Sequence, residues 1–313
     1  MAVKSMREAY GDVLIELAEE DDRIVVVDAD LSGANGTRAF ARKFPGRHIN
    51  VGVAESNMVG IAAGLSAAGK IPFASSFAVF ASRRVFDQFF ISANYAGLNV
   101  KLTGSDPGIS ALYNGGTHQC FEDMGIMRTV PGLVVFEPCD NVSLRGLVRE
   151  AAAHQGCTYM RLHRKDGNLV YPEGETFALG RAKILADGTD AAIICAGFLI
   201  VPECVKAAAI LKGRGISAAV IDMHTLKPLD KDTVLKYAEK TGAIVTCENH
   251  QILNGLGSAV AEVLSENLPT FLKRLGVNDE FGEVGDQEYL MHRFGFTAAQ
   301  IAEKTEAFLK EKR

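Results

Sequence analysis

The sequence predicts an α/β protein of two domains, each a mainly parallel sheet flanked by helices. A chain of 313 residues is long enough for about two domains, and 48% hydrophobic residues can fill their cores. Strand-like apolar runs alternate with helical segments, and the alternation occurs twice along the chain. Such alternation is typical of parallel strands joined by right-handed crossovers. We expect a first domain over residues 1–170, a linker over 171–185 and a second domain over 186–313.

The first domain begins with a helix and a buried strand. Ser5 and Glu8 have the spacing of a capping box, which predicts a helix through about Glu20. The β-branched run Arg23–Asp28 predicts a buried strand, and the polar loop after it carries Asp30. Open α/β sheets bind ligands where their strands end, so this loop is a candidate site. Further strands are predicted over 71–77, 100–103, 133–136 and 159–162, and helices over 82–95, 122–129 and 141–154.

The longest turn-rich segment is Gly104–Gln119, which contains the run Gly-Gly-Thr-His-Gln. Loops of this length in compact domains are usually functional or mobile. His118 is therefore either a functional residue or a surface histidine, and the residues alone leave both open.

The second domain repeats the alternation. Glu248, Asn249 and His250 close one of its strands, and we expect a structural or interface role for them. Thr297 and Gln300 form a second capping-box pattern, which predicts the start of the last helix. The predicted strands are 191–196, 218–221 and 243–247, and the predicted helices are 201–214, 231–240 and 256–266.

Composition excludes several classes of protein. A net charge of −5 with scattered Lys and Arg gives no basic patch for nucleic acid. We find no apolar run that could span a bilayer and no apolar signal region at the start. The six cysteines show no Cys-x-x-Cys spacing, and three of them lie in or beside apolar runs and are expected to be reduced core residues, so the sequence predicts a cytoplasmic protein. Asp28 and Asp30 lack further acids or histidines beside them, and we expect no metal held by this chain.

A single acid, Glu55, follows a short apolar run and precedes a helix of small residues. A carboxylate in the first turn is favoured by the helix dipole. Gly60 and Gly64 lie four residues apart in that helix, which suggests that another backbone or a ligand approaches closely. Taken alone, Glu55 could be only a helix N-terminal acid, and Phe77 and Phe80 could be core residues.

In combination, these segments resemble the transketolase family of thiamine-diphosphate enzymes. The resemblance covers the whole chain but only the second half of a full-length transketolase, the pyrimidine-binding and C-terminal domains. The glycine-rich metal and diphosphate motif of the first half is absent. The matching segments are Ala29–Leu31, Gly52–Met58, Ser75–Phe77, Gly116–Gln119, Pro138–Asp140 and Phe294–Thr297.

The resemblance implies the C-terminal subunit of a split transketolase, which transfers a two-carbon ketol unit from a ketose to an aldose. Thiamine diphosphate would be shared with an N-terminal subunit that holds the diphosphate and Mg²⁺, in an α2β2 heterotetramer. The substrates would be sugars or sugar phosphates.

The resemblance also implies roles for single residues. Glu55 matches the glutamate that hydrogen-bonds the aminopyrimidine ring and promotes its imino tautomer, which takes the C2 proton. Because such a carboxyl group must hold or share a proton, we expect it to be shielded from water. Phe77 matches the aromatic residue that stacks on the pyrimidine, with Phe80 as a nearby wall. Asp30 matches an acid that approaches the cofactor across the subunit interface, and His118 a histidine that contacts substrate oxygens.

Some positions depart from the family pattern. Arg7 and Arg164 match phosphate-binding arginines, although surface salt bridges would also explain them. Asp106, Tyr113 and Asn114 stand where the family has a phosphate-binding histidine and an acidic pair. Because an acid repels an anion, the sequence leaves open a non-phosphorylated, branched or otherwise unusual sugar, or a loop alignment that restores the usual contacts.

Three alternatives accompany this interpretation. The chain could be the β subunit of a 2-oxo acid dehydrogenase decarboxylase, or half of a deoxyxylulose-phosphate synthase. It could also be a structural or regulatory subunit without turnover. Gly116–Gln119 and Phe294–Thr297 favour transketolase over the first alternative.

Overall fold

Backbone contacts divide the chain into two units, described in a computed structural model that covers residues 4–165, 167 and 169–311. Unit 1 comprises Met1–Pro107 and Ile126–Leu179, and unit 2 comprises Gly108–Gly125 and Gly180–Arg313. The segment Gly108–Gly125 lies within the predicted first domain, but its contacts are with unit 2. Residues 1–3 of the predicted first domain, residues 312–313 of the predicted second domain, and positions 166 and 168 before the predicted linker lie outside the described residues.

Unit 1 is built on parallel strands. The strands are β1 (Ile24–Asp28), β2 (His48–Asn50), β3 (Ile71–Phe77), β4 (Lys101–Ser105), β5 (Val134–Phe136) and β6 (Thr158–Leu162). They lie in the order β5-β6-β4-β3-β1-β2, and each adjacent pair is parallel. The α/β class that the sequence predicts is confirmed. The helices up to and within this unit are α1 (Met6–Glu20), α2 (Ser32–Asn35), α3 (Arg38–Lys43), α4 (Glu55–Ala67), α5 (Phe86–Phe89), α6 (Asp123–Arg128) and α7 (Asn141–Ala153).

The first helix forms as predicted and packs on the sheet. The hydroxyl and amide groups of Ser5 donate to Glu8 Oε2 at 2.5 and 3.1 Å, which confirms the capping box. Tyr10 is fully buried, and its hydroxyl lies 3.2 Å from Ser75 Oγ and 3.1 Å from Thr103 Oγ1. This helix therefore contacts β3 and β4 close to the ends that carry the candidate site.

The helix predicted over 82–95 is not a single α-helix. It consists of the π-helical turn Phe80–Arg84, helix α5 and the π-helical turn Phe90–Tyr95. The prediction of one continuous α-helix was wrong, because the spacing of the apolar residues fits π-helical turns as well as an α-helix. Single π-turns are uncommon and occur frequently at functional sites.

Unit 2 is a second α/β unit. Its strands are β7 (Lys183–Ala186), β8 (Ala191–Cys195), β9 (Ala218–Asp222), β10 (Thr225–Lys227), β11 (Ala243–Gln251) and β12 (Phe271–Val277). Five of them form a sheet in the order β12-β11-β8-β9-β7, parallel except for the β7–β9 pair. Its helices are α8 (Val201–Gly213), α9 (Lys231–Thr241), α10 (Leu256–Asn267), α11 (Gln287–Arg293) and α12 (Ala298–Glu311).

The described part of the chain, 4–165, 167 and 169–311, contains no helix that is both long and apolar enough to cross a membrane.

His163 makes the stability of unit 1 sensitive to acid. It follows β6, is 6% exposed, and burial lowers the pKa of its imidazole to about 3, with Lys165 and Arg164 acting in the same direction. An unfolded histidine titrates near about 6.5, so below that pH the unfolded chain binds a proton that the folded chain does not. Stability from this group is thus present above the unfolded pKa and falls as the pH drops, by about 2 kcal/mol at about pH 5.

Denaturant unfolding at neutral pH and at about pH 5 measures this loss. The free energy of unfolding of the wild type should be lower at about pH 5 than at neutral pH, and His163→Gln should reduce this difference by about 2 kcal/mol. His292→Gln, at an exposed histidine, is the matched control. An equal pH dependence in wild type and His163→Gln would contradict the prediction.

Candidate functional site

Glu55 is the first residue of α4, and its side chain is 3% exposed. The chain reaches it through Gly52, whose φ of +75° is a conformation that glycine adopts readily. Both carboxylate oxygens of Glu55 accept a hydrogen bond from Nη1 of Arg84, each at 2.9 Å. The expected shielding of this acid from water is present, together with an ion pair that the sequence analysis did not anticipate.

Arg84 makes three contacts, two of them with the start of α4. Besides the ion pair, its guanidinium carbon lies 4.2 Å from the centroid of the Phe80 ring, and its carbonyl oxygen accepts from Ser56 Oγ at 3.0 Å. Its side chain is 48% exposed, so the pair has one buried and one accessible partner. A search for the cation that a buried acid requires could have found it, because a buried carboxylate is rarely unpaired.

Two phenylalanines form the wall beside this pair. Phe77 ends β3, and its ring centroid lies 6.2 Å from that of Phe80, with the planes tilted by 46°. Both side chains are half-buried. The guanidinium carbon of Arg164 lies 4.9 Å from the Phe77 centroid. Each ring therefore faces a planar cation, and such aromatic faces also bind planar heterocycles.

Asp106 and Arg164 form a second ion pair in unit 1. Burial raises the pKa of the Asp106 carboxyl group, opposed by Arg164, Lys165 and Arg7. Within the described residues, Asp106 Oδ1, Arg164 Nε and Ser76 Oγ are buried without a hydrogen-bond partner. An unsatisfied buried polar atom costs about 1–3 kcal/mol, so three of them together indicate a place for a polar ligand or water.

Asp30 is exposed and lies in a left-handed conformation, with a φ of +60°. Its amide donates to Asn50 Oδ1 at 3.0 Å, and Asn50 Nδ2 donates to Asp30 Oδ1 at 3.3 Å. Asn50 Oδ1 also accepts from the amide of Gly52 at 3.0 Å. Asn50, which the sequence analysis did not single out, therefore joins the Asp30 loop to the turn before Glu55.

The strand ends of unit 1 bring most of the predicted residues to one edge of its sheet. Asp30 follows β1, Phe77 ends β3, Asp106 follows β4 and Arg164 follows β6. Arg7, in α1, is half-buried and close enough to lower the pKa of Asp106. Such an edge is where open α/β sheets bind ligands.

The described residues of this chain leave one face of α4 open. Nothing in them lies within 4 Å of a Cβ built on Gly64, and Gly60 has only Gln88 Nε2 at 3.8 Å. Three apolar side chains near α4 are exposed. Val53, just before α4, is 75% exposed, and Ile91 and Tyr95, in the helical segment packed on α4, are 52% and 84% exposed. Exposed apolar groups of this kind mark interaction surfaces when they form a patch.

Asn114 and His118 belong to unit 2. The amides of His118 and Gln119 donate to Gly115 O at 3.0 and 2.9 Å, and Thr117 Oγ1 donates to Asn114 O at 3.2 Å. His118 is half-buried, with Nδ1 2.9 Å from Thr117 Oγ1, while Asn114 is exposed. One tight turn therefore holds two of the predicted substrate residues, whereas Arg7, Arg164 and Asp106 belong to unit 1.

Within the described residues, no group of three or more His, Cys, Asp or Glu side chains is arranged to hold a metal ion. Asp28 is instead engaged internally, 2.6 Å from Thr37 Oγ1 and 2.7 Å from His48 Nε2. Its role in unit 1 is to tie β1, β2 and the segment before α3 together.

Two family models and several relatives connect this chain with transketolases. The family model described as the transketolase pyrimidine binding domain matches residues 2–168, and that of the transketolase C-terminal domain matches residues 180–301. The chain is 52% identical over 296 residues to the 6-deoxy-6-sulfo-D-fructose transketolase subunit SqwH of Clostridium sp. (strain MSTE9), covering 95% of this chain and 92% of that one. It is 43% identical to a putative transketolase C-terminal section of Methanocaldococcus jannaschii, covering 96% and 95%.

Among solved structures, the chain is similar to a split gene transketolase described as an inactive beta4 tetramer. The TM-score is 0.90 and the sequence identity 43%, and the match covers 99% of both chains.

Arg84→Leu tests the pairing of the buried acid. The change leaves the Glu55 carboxylate without its cation, and we expect the free energy of unfolding to fall by about 2 kcal/mol. Combining it with Glu55→Gln should recover most of this loss, because no buried charge then remains. Denaturant unfolding of the two single variants and the double variant measures the coupling.

Arg83→Leu is the matched control, since Arg83 is the exposed neighbour in the same π-turn. Equal losses in Arg83→Leu and Arg84→Leu would show that the ion pair contributes nothing to stability.

Proposed function

The chain belongs to the transketolase family, whose members use thiamine diphosphate, and on that premise we propose that it is the C-terminal subunit of a two-chain transketolase. It transfers a two-carbon ketol unit from a ketose to an aldose. The observation that carries this proposal is the buried Glu55 carboxylate beside Phe77 and Phe80, in a chain that matches the pyrimidine-binding and C-terminal models. Residues 1–170 would form the pyrimidine-binding domain, 171–185 the linker and 186–313 the C-terminal domain.

The second subunit would be an N-terminal chain that holds the diphosphate and Mg²⁺. The relatives support this division, since one is named a subunit, one a C-terminal section and one a split gene transketolase. The open face of α4 and the exposed Val53, Ile91 and Tyr95 offer a surface for such a partner. We propose an α2β2 heterotetramer in the cytoplasm, where the buried thiols would stay reduced.

The residues of unit 1 fit the aminopyrimidine half of thiamine diphosphate. Phe77 and Phe80 offer ring faces, Glu55 offers a buried carboxyl group, and the unsatisfied Ser76 Oγ and Asp106 Oδ1 offer polar contacts. When bound, thiamine diphosphate supplies the nucleophilic carbon that accepts and delivers the ketol unit.

The protein's own part is to orient the ring and manage protons. Glu55 would hold or share the proton at the pyrimidine nitrogen, which leaves at most one of its oxygens for Arg84. Phe77 and Phe80 would fix the plane of the ring, and Asp30 would approach it from its loop. His118 and Asn114 would contact substrate oxygens and stabilise the charge that develops there.

The substrate we propose is a sugar that ends in a sulfonate. A relative 52% identical to this chain is named a 6-deoxy-6-sulfo-D-fructose transketolase subunit. Arg7 and Arg164 would bind the anionic end of the sugar, but Asp106 already pairs with Arg164. A sulfonate carries a single negative charge, whereas a phosphate carries about −1.5 to −2 at neutral pH. The acid beside the arginines therefore disfavours a phosphate more than a sulfonate.

The relatives that match along nearly their whole length favour this function over a 2-oxo acid dehydrogenase β subunit or half of a deoxyxylulose-phosphate synthase. A subunit without turnover would have no use for a buried acid whose ion-pair partner Arg84 lies over the Phe80 ring.

Reconstitution tests the subunit assignment and the substrate. The chain is mixed with an N-terminal transketolase subunit that carries a Gly-Asp-Gly…Asn motif, with thiamine diphosphate, Mg²⁺ and an aldose acceptor. We expect transfer only from the mixture, with a kcat/KM for 6-deoxy-6-sulfofructose at least about tenfold above that for fructose 6-phosphate. Transfer by this chain alone would contradict the split-subunit proposal.

Asp106→Asn is the variant that isolates the charge effect. Removing one negative charge near the arginines should lower the ratio of kcat/KM for the sulfonate sugar to kcat/KM for the phosphate sugar by about tenfold. Asparagine tolerates the left-handed backbone at this position, where φ is +53°, so folding should be retained. An unchanged preference would show that Asp106 does not select the anion.

Glu55→Gln tests the proton role. Glutamine keeps the size of the side chain but cannot exchange a proton, so kcat of the reconstituted pair should fall about a hundredfold or more. Unfolding should remain cooperative, because the buried charge is removed rather than exposed. Glu303→Gln, at an exposed glutamate, is the control. Near-normal turnover in Glu55→Gln would remove Glu55 from the mechanism.

A further inference from the structure

The carboxyl end of β11 carries three consecutive buried polar residues, Glu248, Asn249 and His250, which are 5%, 3% and 1% exposed. The pairing of β11 with β12 shifts register between Cys247 and Gln251, so the regular ladder is interrupted where these residues lie. Irregularities of this kind re-aim side chains and are frequent next to active sites.

Asn249 holds one end of the segment Gly108–Gly125. Its Oδ1 accepts a hydrogen bond from the amide of Ile109 at 3.0 Å, and both residues are buried. Gly108 makes this approach possible, because its φ is +55° and a Cβ there would lie 2.2 Å from Asn249 Oδ1.

His250 holds the other end. Its Nδ1 lies 2.7 Å from Gln251 O, and the amide of Gly125 donates to Nε2 at 3.2 Å. A carbonyl oxygen only accepts and an amide N–H only donates, so the proton must be on Nδ1 and the lone pair on Nε2. The amide of Gln251 also donates to Phe121 O at 2.9 Å. Three consecutive residues of β11 thus bind the segment on both sides of His118.

The segment between these anchors is closed on itself. The amide of Gly108 donates to Cys120 O at 2.9 Å, which joins its ends. Gln119 Nε2 donates to Glu283 O at 3.0 Å, and the Phe121 ring lies 5.6 Å from that of Phe294. The result is a compact loop of the Ω type, and such loops are frequently functional.

Glu248 has a different task. Its carboxylate oxygens accept from the amides of Leu256 and Gly257 at 2.6 and 2.8 Å, at the N-terminus of α10. This contact stabilises the helix. The side-chain hydrogen bonds to the loop described above come from the two residues after it.

We propose that Asn249 and His250 are positioning residues for the transfer reaction: they hold the loop so that Asn114 and His118 meet the sugar in the right place. The inference rests on the proposed function, because it is the substrate role of His118 that gives the anchoring its purpose. A misplacement of about 1 Å can cost about a hundredfold in rate, so a side chain that contacts no substrate can still control substrate binding.

The test uses the reconstituted two-chain complex with Asn249→Leu and His250→Leu, which remove the acceptors. We expect the KM for the ketose to rise about tenfold or more, while the Kd for thiamine diphosphate stays close to that of the wild type. Amide exchange followed by mass spectrometry should become faster in the peptide spanning residues 108–125. His250→Gln, which places an amide oxygen near the position of Nε2, should restore most of the KM.

Asn267→Leu and His292→Leu are the matched controls, at exposed residues of unit 2. If Asn249→Leu fails to fold, Asn249→Ala removes the same acceptor with a smaller change in shape. A wild-type KM in variants whose loop exchanges faster would overturn the proposal, and so would unchanged exchange in the loop. No transfer by the wild-type pair would refute the proposed function and the inference with it, whereas a working wild type with unaffected variants would refute the inference alone.

Discussion

The site in unit 1 depends on one constraint: a carboxylate removed from water must have a charged partner or several hydrogen-bond donors. Glu55 meets this requirement through Arg84, with both oxygens 2.9 Å from one guanidinium nitrogen. The acid is buried at the start of a helix, while the arginine keeps nearly half of its side chain in solvent. The arginine can therefore move away when another group binds the acid, at less cost than if both partners were enclosed.

The two arginines of the site have related surroundings. Arg84 lies over Phe80 and pairs with Glu55, whereas Arg164 lies over Phe77 and pairs with Asp106. At each arginine, the guanidinium group lies against an aromatic ring and pairs with a carboxylate. A heterocycle with its own hydrogen-bonding edge resembles the guanidinium in shape and in the groups that it can bind. Both places in unit 1 therefore present a ring face and a carboxylate to a planar group with hydrogen-bond donors.

Much of this arrangement could be predicted from the sequence. Eight of the twelve strands in the described residues and the capping boxes at Ser5 and Thr297 follow from local patterns, and the structure contains them. The strands β2, β7, β10 and β12 were not predicted: β2 and β10 have only three residues each, β7 is exposed or half-buried throughout, and β12 is interrupted by Lys273 and Arg274.

The partners of the site residues were harder to predict. Arg84 and Asn50 act through contacts with residues distant in sequence, which no local pattern records. The π-turns were missed because the positions of Phe86, Phe89 and Phe90 suit an α-helix as well. The hydrogen bonds that Asn249 and His250 accept from Ile109 and Gly125 join residues 140 and 125 positions apart, so no local pattern predicts them.

The route of the backbone has a consequence for the evolution of this chain. It leaves unit 1 after Pro107, contributes Gly108–Gly125 to unit 2, and returns before it finally departs at Gly180. Cutting the chain within the linker would therefore leave Gly108–Gly125 on the first fragment and the residues of β11 that bind it on the second. The second fragment would then lack part of unit 2. Recombination that exchanges one half between relatives would have to preserve the match between that loop and the end of β11, so the two halves are expected to be inherited together.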